Sequence, residues 1–248
     1  MTDKPKTMLL IGATSDIGLA VARAYAAAGW RVLVVARDPA AAARNAGDIA
    51  TRSGAPAAVF ALDVTAPGTF AAFAAALPVL PDTIVCVAGL LGDQARAEAE
   101  PDHAAAILRT NFEGPALLLD LFARHFAARG SGTLVGVSSV AGDRGRASNY
   151  FYGSAKAGFS AYLSGLRNRL AGVKVRVVTV KPGFVRTRMT KGLKLPNLLT
   201  AEPAEVGRAI YRAAEVSHHD VIYVRPVWRL VMAIICAIPE PIFKRLRL

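Results

Sequence analysis

The chain has 248 residues, 53% of them apolar, with 30 Lys plus Arg against 18 acids and a formal charge of +12. That length suits one large α/β domain or two small ones and is ample for a core. The charge favours anionic partners, while the absence of any apolar run of about 18 residues excludes a membrane-spanning helix.

The sequence begins M-T-D-K-P-K and runs into an apolar strand, Thr7 to Ile11, so no secretory leader is expected. Asp16 to Ala28 has helical periodicity and stops at Gly29. Arg31 to Ala36 is a second strand, followed by an alanine-rich helix from Pro39 to Arg52. Ala57 to Leu62 and Thr83 to Val87 are strands three and four. Pro101 to Arg129 is a long helix, interrupted near Gly114-Pro115, and Thr133 to Ser138 is strand five. Tyr152 to Ala171 is helical, Lys174 to Val180 is strand six, Glu205 to Val216 is helical and Val221 to Val224 is a short last strand. Strands that alternate with helices and lack polar alternation predict a parallel sheet covered on both faces. The fold class is therefore α/β: one Rossmann-type, doubly wound domain over 1–226 with about seven strands. Residues 227–248 are an apolar and basic C-terminal segment, not a second domain. Ligands of such sheets lie at the carboxyl ends of the strands.

The first strand-to-helix turn reads G-A-T-S-D-I-G. Gly12 and Gly18 would let backbone approach a pyrophosphate, whose charge the amides of the helix N-terminus meet. Thr14, Ser15, Asp16 and Ile17 complete the turn. Asp16 stands where a third glycine is usual, and an N-cap is its structural role. Strand two ends V-V-A-R-D, with Ala36 where an acid would hold the ribose of NAD. Arg37 next to it suits a 2′-phosphate, so NADPH is the expected cofactor. Asp38 keeps NADH open. Asp63, in L-D-V, is placed to bond the adenine edge.

Tyr152 and Lys156 are spaced i, i+4 and share one helix face. An ammonium beside a phenol is expected to lower its pKa and ready it for proton exchange with a carbonyl oxygen. Tyr150 has no such lysine and is assigned to packing or to the substrate mouth. Thirteen residues before Tyr152 stands Ser139, whose hydroxyl could hold the same oxygen; Ser138 is its neighbour.

With L-D-V, V-A-G (Val87–Gly89), N-F-E-G from Asn111, S-S-V-A-G, Y-G-S-A-K and P-G-F-V-R-T (Pro182–Thr187), the chain resembles the short-chain dehydrogenase/reductase family along almost its whole length. The resemblance implies a catalytic set of Ser139, Tyr152 and Lys156, with Asn111 fixing a water that relays protons through Lys156. It also implies that Val64, Ala88 and Gly89 border the cofactor, and that Pro182, Gly183, Val185 and Thr187 border its nicotinamide. Two positions depart from the family: Asp16 replaces the middle glycine, and Val87 stands where asparagine usually precedes Ala-Gly. The implied reaction is hydride transfer between nicotinamide and a carbonyl carbon.

G-L-L-G-D (Gly89–Asp93), Ala141–Ser154, Pro182–Lys194 and the tail V-W-R-L-V-M-A-I-I-C-A-I-P-E-P-I-F-K-R-L resemble a narrower group, the decaprenylphosphoryl-2-keto-pentose reductases. That resemblance implies a lipid-linked keto-sugar substrate and a partner flavin oxidase. Arg144 and Arg146, with Arg186, Arg188, Lys191 and Lys194, could meet a phosphodiester or anionic headgroups. Val227 to Ile238, with Trp228 and then Lys244, Arg245 and Arg247, suits either a membrane surface or a subunit interface. The expected location is cytoplasmic, with peripheral contact at the inner face of the membrane, and the expected assembly is a homodimer or homotetramer.

Cys86 and Cys236 lie in apolar runs and are expected as buried free thiols. His103, His125, His218 and His219 have no metal partner at a telling spacing, so no metal is expected. No binding module or aromatic platform supports nucleic acid as a partner. Two other readings stay open: a reductase of soluble ketones or ketoacyl thioesters, and a dinucleotide-binding sensor without turnover.

Overall fold

A computed structural model of the chain describes residues 5–54, 57–192 and 195–246. In chain order the elements are β1 (Thr7–Ile11), α1 (Asp16–Ala27), β2 (Arg31–Ala36), α2 (Pro39–Ser53), β3 (Ala57–Ala61), α3 (Phe70–Ala75) and β4 (Thr83–Cys86). Next come α4 (Gln94–Ala99), α5 (Pro101–Leu108), α6 (Gly114–Arg129), β5 (Gly132–Val137), α7 (Tyr150–Leu170), β6 (Val175–Pro182), β7 (Phe184–Val185) and β8 (Thr200–Ala201). The chain ends with α8 (Pro203–Tyr211), β9 (Val221–Val224), α9 (Val227–Ala237) and α10 (Glu240–Phe243).

Seven strands form one sheet in the order β3-β2-β1-β4-β5-β6-β9, and every pairing in it is parallel. Alternate residues of β1 feed two cores. Met8 and Leu10 pack with Val21, Tyr25 and Ile210 on one face; Leu9 and Ile11 pack with Leu118, Phe122 and Phe159 on the other. This two-sided burial is why the strands are apolar without alternation. The chain leaves β1 toward β2 on one side and returns to β4 on the other, and a crevice opens at that reversal.

Two details bear on the site. The expected break near Gly114-Pro115 is a π-helical turn, Arg109–Glu113, just before α6. Such turns are frequent at functional sites. Asn111 sits inside it and is 0% exposed. The tail is helix α9, whose Trp228 and Met232 are buried against Val140, Phe184, Leu199 and Tyr223. A Cβ on Gly183 would stand 1.9 Å from the Trp228 ring, so only glycine allows this indole to lie on the β6–β7 link. The opposite face of α9 stays open, with Leu230 63% and Ile234 59% exposed. Among the described residues no helix is long and apolar enough to cross a membrane, and no group of three or more His, Cys, Asp or Glu could hold a metal ion.

Cys86 is buried as expected, and burial pushes its thiol up to about 11. Cys236 is not: it is exposed near the end of α9, with its Sγ 3.4 Å from the Asp143 carbonyl. Cys236 follows Trp228 and Met232 on the inward side of α9, but it stands in the last turn, where the helix end leaves the sheet side open to solvent.

Candidate active site

The crevice is lined by Gly12, Thr14, Ser15, Asp16 and Ile17 from the first turn and by Arg37 and Asp38 after β2. Asp63 and Val64 after β3, Ala88 and Gly89 after β4, and Thr187 complete the expected set within it. Gly12 has φ of +94°, and a Cβ there would stand 2.8 Å from the Ala88 amide nitrogen. Ser15, not Asp16, caps α1: its Oγ accepts from the Gly18 amide at 2.9 Å and donates to the Gly12 carbonyl at 2.9 Å. Asp16 is the first helical residue instead. Its carboxylate accepts from the Arg188 backbone amide at 2.7 Å and from Arg188 Nε at 2.9 Å.

Arg37 is exposed at the crevice and has no ion-pair partner among the described residues. Asp38 caps α2, accepting from the Ala41 amide at 3.0 Å. One oxygen of Asp63 accepts from the amide and hydroxyl of Thr65, both at 2.8 Å. Gly18 supports the turn from within α1. Pro182, Gly183 and Val185 are outside the lining. Pro182 offers its carbonyl to Ser139 Oγ at 3.5 Å, Gly183 lies under Trp228, and Val185 is buried in the core.

Ser139, Tyr152 and Lys156 come together where β5 ends against α7. Ser139 Oγ accepts from the Ala141 amide at 3.1 Å. Its neighbour Ser138 turns to the helix, donating to the Lys156 carbonyl at 2.9 Å and meeting Ser160 Oγ at 2.7 Å. Lys156 is 4% exposed; its Nζ donates to the Val137 carbonyl at 3.1 Å and lies 5.7 Å from the Tyr152 ring centre. Asn111 Oδ1 accepts from the Leu90 amide at 3.2 Å, and its Nδ2 donates to Leu90 and Ile107 carbonyls at 2.6 and 2.8 Å. It ties the π turn to the chain beyond β4.

The electrostatics differ from the sequence expectation. Burial raises the Tyr152 phenol above its ordinary value, and a hydrogen bond with the Ser139 side chain offsets only part of that. Burial also brings Lys156 down to about 8. The expected lowering of the phenol is absent, because burial disfavours the charged forms of both the phenol and the amine.

The arginines expected at the substrate mouth are mostly engaged. Arg144 donates to the carbonyls of Ile235, Cys236 and Ile238 at 2.9, 3.0 and 2.6 Å, pairs with Glu240 at 2.8 Å and covers the Phe243 ring. It caps the free carbonyls at the end of α9, which is why it is not at the mouth. Arg186 pairs with Glu202 at 2.9 Å, and Arg188 belongs to Asp16. Arg146 differs: its Nε is buried with no hydrogen-bond partner, and burial lowers its pKa. Tyr150 is partly exposed at the start of α7, its ring 4.8 Å from that of Phe151. Lys191 is exposed; Lys194 and Arg247 lie outside the described residues.

Residues 6–197 match the family model for short chain dehydrogenase. The chain belongs to that family. An uncharacterized oxidoreductase of Mycobacterium tuberculosis is 37% identical to this dehydrogenase-family chain over 244 residues, 96% of each chain. The human 3-oxoacyl-[acyl-carrier-protein] reductase is 30% identical over 78% of this chain and 81% of its own. Among solved structures, a candidate NAD(P) dependent gluconate 5-dehydrogenase from Beutenbergia cavernae, with NADP bound, superposes with a TM-score of 0.80 at 26% identity. That match covers 91% of this chain and 97% of the other.

Sequence reasoning missed Leu90, Thr110 and Met189, which also line the crevice of this short-chain dehydrogenase. It missed the brace on the loop after Ser139 as well. Asp143 there receives a short bond from Lys181 and a 2.9 Å bond from Tyr223. These partners are 38 and 80 residues away, and no local pattern signals them.

The Lys156 pKa sets a stability test. Below about pH 8 the amine is charged in both folded and unfolded chains, so folding carries the full cost of burying the charge. As pH rises from about 8 toward the ordinary 10.5, the folded chain has lost a proton that the unfolded chain keeps, and the cost disappears. Lys156→Met is expected to stabilise the chain by about 3 kcal/mol at pH 7. That gain should shrink steadily above pH 8 in urea unfolding curves; a pH-independent difference would refute the buried ammonium.

Proposed function

We propose that this family member is an NADPH-dependent reductase that converts a ketone to a secondary alcohol. The carrying observation is the meeting of Ser139, Tyr152 and Lys156 beside a crevice whose far end presents Arg37, which has no ion-pair partner among the described residues. The crevice fits a dinucleotide: a side-chain-free Gly12, the N-terminus of α1 and the exposed Arg37 guanidinium at the strand that receives the adenosine ribose. The NADP bound by the Beutenbergia protein supports the same reading. NADH is the alternative, weakened because Asp38 is occupied as a helix cap.

When bound, NADPH supplies a hydride to the carbonyl carbon. Ser139 donates a hydrogen bond to the carbonyl oxygen and holds it beside Tyr152. The Tyr152 hydroxyl gives its proton to that oxygen as the C=O bond becomes C–O. The phenolate left behind is stabilised by the Lys156 ammonium, against the burial that disfavours it. In this reading Asn111 fixes the water through which the proton is replaced.

Two substrate classes have support. A ketoacyl thioester or small ketone is favoured by the human reductase relative and by the engagement of Arg144, Arg186 and Arg188 elsewhere. A polyprenylphosphoryl 2-keto-pentofuranose, made by a partner flavin oxidase, is favoured by Arg146, whose buried Nε has no hydrogen-bond partner among the described residues and could donate to a phosphodiester oxygen. The open face of α9, flanked by Arg229, Lys244 and Arg245, supports contact with anionic lipid at the inner face of the cytoplasmic membrane. A homodimer or homotetramer is the assembly that family membership supports.

A coupled assay following NADPH loss with both substrate classes tests the function. Tyr152→Phe is expected to lower turnover at least about 100-fold while leaving NADPH binding within a factor of about two; retained turnover refutes the role. Arg37→Ala should weaken NADPH about 10-fold or more and NADH little by titration, and equal losses would remove the 2′-phosphate contact. Leu230→Gln with Ile234→Gln should abolish flotation with anionic vesicles if α9 touches lipid, and unchanged flotation would end that reading.

A further inference from the structure

We infer that Asp16 and Arg188 form a clasp that holds the loop after β7 over the crevice and sets how long a dinucleotide stays there. The inference rests on the dinucleotide reading of the crevice. Arg188 is 172 residues from Asp16 in sequence, yet its backbone amide and its Nε each bond a different oxygen of the Asp16 carboxylate, at 2.7 and 2.9 Å. Its guanidinium also reaches the Thr14 carbonyl. The two attachment points are thus on the phosphate turn itself.

The loop is built to move as one piece. Thr190 Oγ1 bonds the Val185 carbonyl at 2.6 Å and accepts from the Thr187 amide at 3.1 Å, closing residues 185–190 into a compact turn. Thr187, Arg188 and Met189 line the crevice on the side facing Gly12 and Thr14. A molecule lying along the crevice is therefore bounded by the phosphate turn and by this loop, and Arg188 joins the two.

Charge explains why the pair occurs together. A carboxylate at the first residue of α1 stands where an anion is to be received, and alone it would repel a pyrophosphate. Arg188 cancels that charge and adds a cation at the crevice edge. The clasp is also openable: the Arg188 side chain is 73% exposed and that of Asp16 is 29% exposed. Water and salt can reach the pair, so it can release and reclose.

The test measures dissociation of NADPH and of NADH by stopped-flow displacement from the full chain and from Asp16→Asn, Arg188→Gln and the double variant. Each single variant is expected to release both cofactors about 5- to 10-fold faster, with association rates changed less. The double variant should be no faster than either single one, and Arg188→Lys should restore part of the retention. Equal effects on the two cofactors separate the clasp from a 2′-phosphate contact. Raising salt from about 0.05 M to about 0.5 M should speed release from the unaltered chain by a larger factor than from the variants. Without cofactor, trypsin should cut after Arg188 or Lys191 faster in Asp16→Asn. Unchanged or slower release in Asp16→Asn, with binding intact, overturns the clasp alone. Failure of the unaltered chain to bind either cofactor overturns the cofactor reading and the clasp with it.

Discussion

Much of this molecule depends on how closely two strand ends approach each other. β1 and β4 are hydrogen-bonded neighbours, and their carboxyl ends meet where a Cβ on Gly12 would be 2.8 Å from the Ala88 nitrogen. With hydrogen at that position the backbone can turn away from the sheet at a left-handed φ, and α1 can begin beside the turn. The crevice, its exposed amides and the loop that faces them all follow from that single approach. A side chain there would force the strands apart and close the place where a ligand can lie.

The second constraint is electrical. Lys156 is an ammonium placed almost out of water, next to a carbonyl and under an aromatic ring. Tyr152 is a phenol whose ionisation the same burial opposes. Neither condition favours folding. Both make sense at a site where negative charge must appear briefly on an oxygen and be met at once. The groups are held by backbone on each side: Ser138 fixes the middle of α7 to β5, and Asn111, locked in a π turn, fixes the neighbouring end of β4.

The tail is tied to this region by two contacts of different kinds. Trp228 lies on Gly183 and bonds the Leu199 carbonyl at 2.9 Å, so α9 rests on the link between β6 and β7. Arg144, five residues after Ser139, gathers the carbonyls at the end of α9. Asp143 beside it is held by Lys181 and Tyr223. The loop after Ser139 is thus braced from the sheet and from the tail, while the outer face of α9 stays apolar and open.

Which parts were legible in sequence follows from the range of the forces involved. Alternating apolar runs and helical periodicity are local, so the strand-helix order, the parallel sheet and the glycine turn could be read directly. The i, i+4 pair of Tyr152 and Lys156 was legible for the same reason, since a helix puts both on one face. Long-range pairing was not legible. Arg188 looked like a substrate cation and is bound to Asp16; Arg144 looked the same and caps a helix 91 residues away or more. Burial was equally hidden. It turned the expected fall in the Tyr152 pKa into a rise, and it left the Nε of Arg146 buried without a hydrogen-bond partner among the described residues. The sequence by itself determined the fold class and which residue types share a face, because backbone geometry sets those within a few residues. Only the tertiary structure decided which charges are buried, neutralised or free, because that depends on what distant segments bring beside them.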